Sequence, residues 1–140
     1  MMLDAINEKR VAGLRAPFQA LARTFLAECE KAGYRLRVTY GLRTLDEQAA
    51  LYAQGRTAPG KIVTQAKPGQ SPHNYAAALD VVFLDAKGQP DWNGPWAAIG
   101  AIGERLGLVW GGSFKTIVDR PHFEWTHWRD LRASKPPPAS

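Results

Sequence analysis

A chain of 140 residues holds one compact domain with a single core. Hydrophobic residues make up 45% and charged residues 22%, the proportions of a globular domain, and no apolar run is long enough for a transmembrane helix. The formal charge of +5 suits an acidic partner, but the basic residues are scattered and match no nucleic-acid-binding motif, so no nucleic-acid partner is expected.

The first thirty residues carry Asp4, Glu8, Lys9 and Arg10 between short apolar patches, which does not match the apolar centre of a secretory signal. From Pro17, apolar residues recur at Phe18, Leu21, Ala22, Phe25, Leu26 and Cys29, the spacing of an amphipathic helix that Gly33 stops. Cys29, the only cysteine, can form neither an internal disulfide nor a cysteine-based zinc site, and its spacing from Phe25 and Leu26 puts it in the core. "YRLRVTY" alternates as a half-buried strand over residues 34–40. "TLDEQAALYAQG" predicts a helix with a capping box from Thr44 to Glu47 and a stop at Gly55.

Residues 56–72 contain two Pro-Gly pairs and little periodicity, a loop long enough to be functional or mobile. A strand is predicted over 78–84, then a turn-rich link. "PWAAIGAIGERLG" reads as a helix with Trp96, Ile99, Ile102 and Leu106 inward. Short strands around "LVW", "TIV" and "HFEW" complete a sheet, and "SKPPPAS" is a disordered tail. Strands and helices mix without a βαβ rhythm, so the expected fold class is α+β, a small, mainly antiparallel sheet with packed helices. One domain spans 1–133 and the tail 134–140.

Two histidines and an aspartate offer zinc-type chemistry. His73 precedes the strand 78–84, Asp80 lies near its start, and His122 follows Pro121, which extends Arg120 and begins another strand. Imidazole nitrogen and carboxylate oxygen are both zinc ligands, and a catalytic zinc keeps three protein ligands and an open position. His127 is a spare. Spacing alone is equally compatible with hydrogen-bonded structural histidines. Asp119, three residues before His122, can lie beside a metal and carry a proton from water to a leaving amine, or simply cap a turn. Glu124 is a rival base or a partner behind His122. Arg43, between a strand and a helix start, can reach over a site to stabilise an oxyanion, or remain a solvated loop residue.

The stretches "GLRTLDEQAALYAQGRT", "PGKIVTQAKPGQSPHNYAAALDVVF" and "WGGSFKTIVDRPHFEW" together resemble the zinc L-alanyl-D-glutamate endopeptidases, phage endolysins and bacterial wall enzymes of the D-alanyl-D-alanine carboxypeptidase group. Ser71, His73, Ala78 and Asp80 match the motif Ser-x-His-x-x-Gly-x-Ala-x-Asp, and Asp119, Pro121 and His122 match Asp-x-Pro-His. The resemblance implies zinc on His73, Asp80 and His122, Asp119 as general base, and Arg43 as the residue polarising the scissile carbonyl. Ser71, Trp125 and the loop 56–72 are expected to frame the substrate. Ala76 stands where the family has glycine, which leaves the backbone path there open.

The implied activity is hydrolysis of the L-Ala–D-Glu bond of peptidoglycan stem peptides by a monomer. It would be made in the cytoplasm and act on the wall once the membrane is breached. Two alternatives stand beside it. One is a D-alanyl-D-alanine carboxypeptidase or dipeptidase on the same scaffold; the dipeptidases that resemble this family carry glutamate in place of Asp119. The other is a basic wall- or nucleic-acid-binding module without catalysis.

Overall fold

Strand β2, Ala78–Leu84, organises the molecule, whose computed structural model describes residues 3–131. Its run of apolar residues is buried on both faces. Alternation sends Leu79, Val81 and Phe83 into the main core and leaves Asp80 on the opposite face. Strand β1, Leu36–Tyr40, pairs with one side of β2. Two further strands complete an antiparallel sheet in the order β1-β2-β5-β4, with β4 at Val109–Trp110 and β5 at His122–Glu124. Strand β3, Pro90–Asp91, pairs with the far end of β2. The α+β class, with a small antiparallel sheet, is as expected.

Helices α2, Ala16–Lys31, and α4, Trp96–Arg105, cover the core face. Phe18, Phe25 and Cys29 of α2 and Ile99 of α4 are fully buried, and Phe25 meets Phe123 of β5 at 4.4 Å between ring centroids. Gly103 makes the approach of α4 possible, since a Cβ there would lie 2.7 Å from the Phe123 ring. Helix α3, Leu45–Ala53, starts on the expected capping box, with both Thr44 and Glu47 bonds present. Its end leads into the loop before the site.

Helix α1, Ala5–Ala12, and helix α5, Trp128–Leu131, were not expected from periodicity, nor was β3. Asp4 caps α1 by accepting the Asn7 N–H, and Asn7 is buried against the open edge of β1. There its Nδ2 donates to the Leu36 carbonyl and its Oδ1 accepts the Val38 N–H, each at 2.9 Å. The helix therefore covers an edge that would otherwise be free to pair. The strand predicted at "TIV" is not formed: residues 115–117 make a bend and Val118 is irregular, with Ile117 and Val118 exposed. They have no neighbouring strand to pair with, because the chain must turn back to carry Asp119 towards β5. The proposed tail, 134–140, lies outside the described residues.

Candidate metal centre and active site

The antiparallel register brings two of the candidate ligands together. Asp80 of β2 stands directly opposite His122 of β5, so both side chains leave the sheet on the same face. His73 arrives from a 3-10 turn, Pro72–Tyr75, that leads into β2. Ser71 caps this turn: its Oγ accepts the His73 N–H at 3.2 Å. Ala76 ends it at φ 54°, ψ 35°, so the left-handed conformation that a glycine would adopt is kept with a methyl group in place.

The three side chains meet at a point. His73 Nε2, His122 Nδ1 and Asp80 Oδ1 lie 3.2 Å from one another in every pairing. The remaining nitrogen of each ring has its own acceptor. His73 Nδ1 is 2.8 Å from the Gly41 carbonyl oxygen, and His122 Nε2 is 2.8 Å from Glu124 Oε1. Those acceptors can hold one proton of each ring on the outer side, so that, once any second proton is lost, the inward nitrogens present lone pairs. Two lone pairs and a carboxylate oxygen at this separation repel unless a cation lies between them. Their spacing is close to the roughly 3.3 Å edge of a tetrahedron with ligand bonds of about 2.0–2.1 Å. The donor set fits zinc.

Electrostatics separates the carboxylates. Burial alone would raise the Asp80 pKa, but hydrogen bonds and charge from His122 and His73 outweigh it and hold the carboxyl well below its usual range. Asp119 Oδ2 lies 4.0 Å from His122 Nδ1, with its side chain 47% exposed to the cleft. Its pKa is raised, first by burial and then by the negative charge of Asp80, against the lowering influence of His122, His73 and Arg43. Glu124 is buried, and its second oxygen accepts the Trp128 indole N–H at 2.6 Å. With both oxygens engaged, it stands behind His122.

The turn that carries Asp119 is tied to the end of β4. The Asp119 N–H donates to the Gly111 carbonyl at 2.9 Å, and the Trp110 indole N–H donates to the Arg120 carbonyl at 2.8 Å. A Cβ on Gly111 would collide with the Asp119 carbonyl, so this close approach requires glycine.

Arg43 lines the same cleft. Its guanidinium lies 4.7 Å from the Tyr40 ring centroid, and its Nη1 donates to Gln48 Oε1 at 3.1 Å. The Arg43 Nε is buried with no hydrogen-bond partner among the described residues. The cleft, about 570 Å³, is lined by residues 63–66, 70–72 and 114–117 together with His73, Asp119 and His122. The loop expected to frame it does so, and it is pinned rather than loose. Gln48 donates to the Ala66 carbonyl, Arg56 to the Thr64 carbonyl, and Tyr75 to the Gly69 carbonyl.

Two candidates fall elsewhere. Trp125 is not a wall of the cleft; it is half-buried and packs against both apolar clusters, because β5 alternation turns it away from the His122 side. His127 is exposed, 3.7 Å from Asp130, and takes no part in the cluster. Two residues that pattern reading passed over hold the site together. Fully buried Gln48 links Arg43 to the loop, and fully buried Asn74 accepts from Gly69 and donates to the Arg43 carbonyl. A polar residue three positions from Leu45 and three from Leu51, on the inward face of α3, was the available signal for Gln48.

Two sequence profiles described as D-alanyl-D-alanine carboxypeptidase match the chain, one over residues 12–93 and one over residues 64–125. The peptidoglycan L-alanyl-D-glutamate endopeptidase CwlK of Bacillus subtilis is 38% identical over 108 residues, covering 70% of this chain and 65% of its own length. The chain therefore spans just under two thirds of that relative. Among solved structures, the L-Ala D-Glu endopeptidase ChiX of Serratia marcescens superposes with a TM-score of 0.67 at 25% identity, covering 94% of each chain. The D,D-pentapeptidase VanY, solved in complex with Zn(II), has a TM-score of 0.58 at 15% identity, covering 86% of this chain and 79% of its own, and shows the shared fold.

Proposed function

The chain belongs to the D-alanyl-D-alanine carboxypeptidase family, and within it we propose a zinc endopeptidase that hydrolyses the L-Ala–D-Glu bond of peptidoglycan stem peptides. The observation that carries this reading is the meeting of His73, Asp80 and His122 at 3.2 Å, with Asp119 beside them at the base of one cleft. Likeness to CwlK and to ChiX, the latter over nearly the full length of both chains, supports the choice of bond. We assign the peptidase domain to residues 1–133 and its place of action to the cell wall.

In this reading His73, Asp80 and His122 hold the zinc, which supplies a Lewis acid and lowers the pKa of a water molecule. Asp119 accepts a proton on its exposed carboxylate and later delivers it to the leaving amine nitrogen of D-Glu. Its raised pKa suits both halves of that task. Arg43 lines the cleft and directs its guanidinium at the scissile carbonyl oxygen. Glu124 keeps the His122 proton on Nε2 and so leaves Nδ1 free as a ligand. Ser71 acts through the turn it caps.

Mass spectrometry of purified peptidoglycan incubated with the protein tests the reading. A new amino-terminal D-Glu, lost on treatment with a chelator and restored by zinc, is expected. Release of free D-Ala would favour a carboxypeptidase, and intact peptide with tight, salt-dependent binding would favour a non-catalytic module.

A further inference from the structure

Arg129 is a cation in the cleft that neither the proposed metal site nor the proposed mechanism uses. It lines the cleft from α5. Its guanidinium carbon lies 5.1 Å from the centroid of the Trp128 ring. Among the described residues, no carboxylate lies within ion-pair distance of it. The ring beneath it is fixed in turn: the Trp128 indole N–H is bonded to Glu124, whose other oxygen holds His122. Short hydrogen bonds therefore fix the Trp128 ring relative to His122, and the Arg129 guanidinium lies over that ring. An arginine stacked on a tryptophan is preorganised, and its planar fork matches a carboxylate better than an ammonium does.

The substrate of the proposed reaction presents the matching group. Glutamate has two carboxyls, and when one forms the onward amide of the peptide, the other stays ionised. That anion lies within a few bonds of the scissile nitrogen, on the leaving-group side. Arg43 and Asp119 serve the reacting atoms, and the two acidic residues at the base of the cleft, Asp119 and Glu124, repel an anion there. A cation not committed to the reaction is the natural partner for the D-Glu carboxylate.

We propose that Arg129 reads the free carboxylate of the D-Glu residue and so sets the specificity of the cleft for an acidic residue after the cut. The proposal rests on the endopeptidase reading above and refines it. Lys115, which also lines the cleft and is likewise without an ion-pair partner among the described residues, adds unspecific attraction but lacks the stacked, planar fork.

The test pairs enzyme variants with substrate variants. One synthetic stem peptide carries the free carboxylate, and the other carries the primary amide in its place. The zinc-loaded wild type is expected to favour the acid about ten- to hundredfold in kcat/KM, the range for a charge-assisted hydrogen bond. Arg129→Gln should lose that factor on the acid, hardly change on the amide, and cut both at similar rates. Arg129→Lys should recover only part of the preference. Thermal unfolding of each variant serves as the control for folding, which an exposed side chain should leave unchanged. If the wild type cuts acid and amide equally, or if Arg129→Gln keeps the wild-type preference, the proposal is wrong while the endopeptidase reading stands. Equal losses on both peptides would make Arg129 structural and also overturn it. Failure of the wild type to cut either peptide would instead remove the endopeptidase reading, and the proposal with it.

Discussion

Three carboxylates surround His122, and their surroundings divide the work between them. Asp80 is held ionised by two imidazoles, Glu124 has both oxygens committed, and Asp119 alone keeps an oxygen free towards the cleft. Asp119→Asn should therefore keep one bound zinc and lose turnover by about 10²–10⁴-fold, the usual contribution of a positioned base, with little change in substrate affinity. Glu124→Gln should show the reverse, weaker zinc binding by about 10–100-fold with turnover nearly restored at saturating metal. Metal titration together with steady-state kinetics separates the two. Near-normal turnover in Asp119→Asn beside an inactive, zinc-loaded Glu124→Gln would exchange their roles.

Ala76 poses a different residue-scale question, since its φ of 54° is the conformation that favours glycine. An L-residue there costs about 1–2 kcal/mol. Glycine would remove that strain, but it would loosen the unfolded chain by about 0.5–1 kcal/mol and give up a buried methyl worth about 0.8 kcal/mol. The terms nearly cancel, which explains how alanine stands in the position. Ala76→Gly should shift urea-unfolding stability by less than about 0.5 kcal/mol. Ala76→Val should cost more than about 2 kcal/mol, because a β-branched residue resists this conformation and the site is already packed. A well-tolerated valine would show that the turn can relax.

At the scale of elements, what could be read from the sequence was whatever speaks through apolar spacing or capping. Helix α3 showed its capping box, α2 and α4 their inward stripes, and β2 its continuous apolar run. The convergence of the ligands was not readable in this way. His73 and His122 are 7 and 42 residues from Asp80; the register of β2 against β5 brings Asp80 and His122 together, and the turn before β2 adds His73. Helix α1 escaped because the residue it presents to the sheet is polar: Asn7 does what a neighbouring strand would do. Asn7→Ala should then cost at least about 2 kcal/mol in urea unfolding, since it strands a buried donor and a buried acceptor of β1 at about 1–3 kcal/mol each. A loss below about 0.5 kcal/mol would mean that water reaches that edge.

At the scale of the whole molecule, the site and the net charge pull stability in opposite directions as pH rises. In the metal-free protein, burial alone would lower the His122 pKa. Hydrogen bonds and charge from Asp80 and Glu124 outweigh it and raise the value from 6.5 to about 9. A group whose pKa is raised by folding stabilises the fold fully below its unfolded value and loses that contribution as pH passes through the folded one. Asp80, held far below this range, stays ionised throughout. The His122 contribution should therefore decline between about pH 6.5 and 9. Over the same interval the net charge falls towards zero at a pI near 9.6, which relieves self-repulsion and favours the compact state. A decline in the melting temperature of chelator-treated protein would thus single out the local term. Zinc competes with the same proton, so its affinity and the stabilisation it gives should grow across that interval. Melting curves at several pH values, with chelator and with zinc, should diverge as pH rises, and His122→Ala should remove the divergence. Parallel curves would mean that His122 is already neutral in the metal-free fold, leaving repulsion among the ligands to be met by a rearranged site.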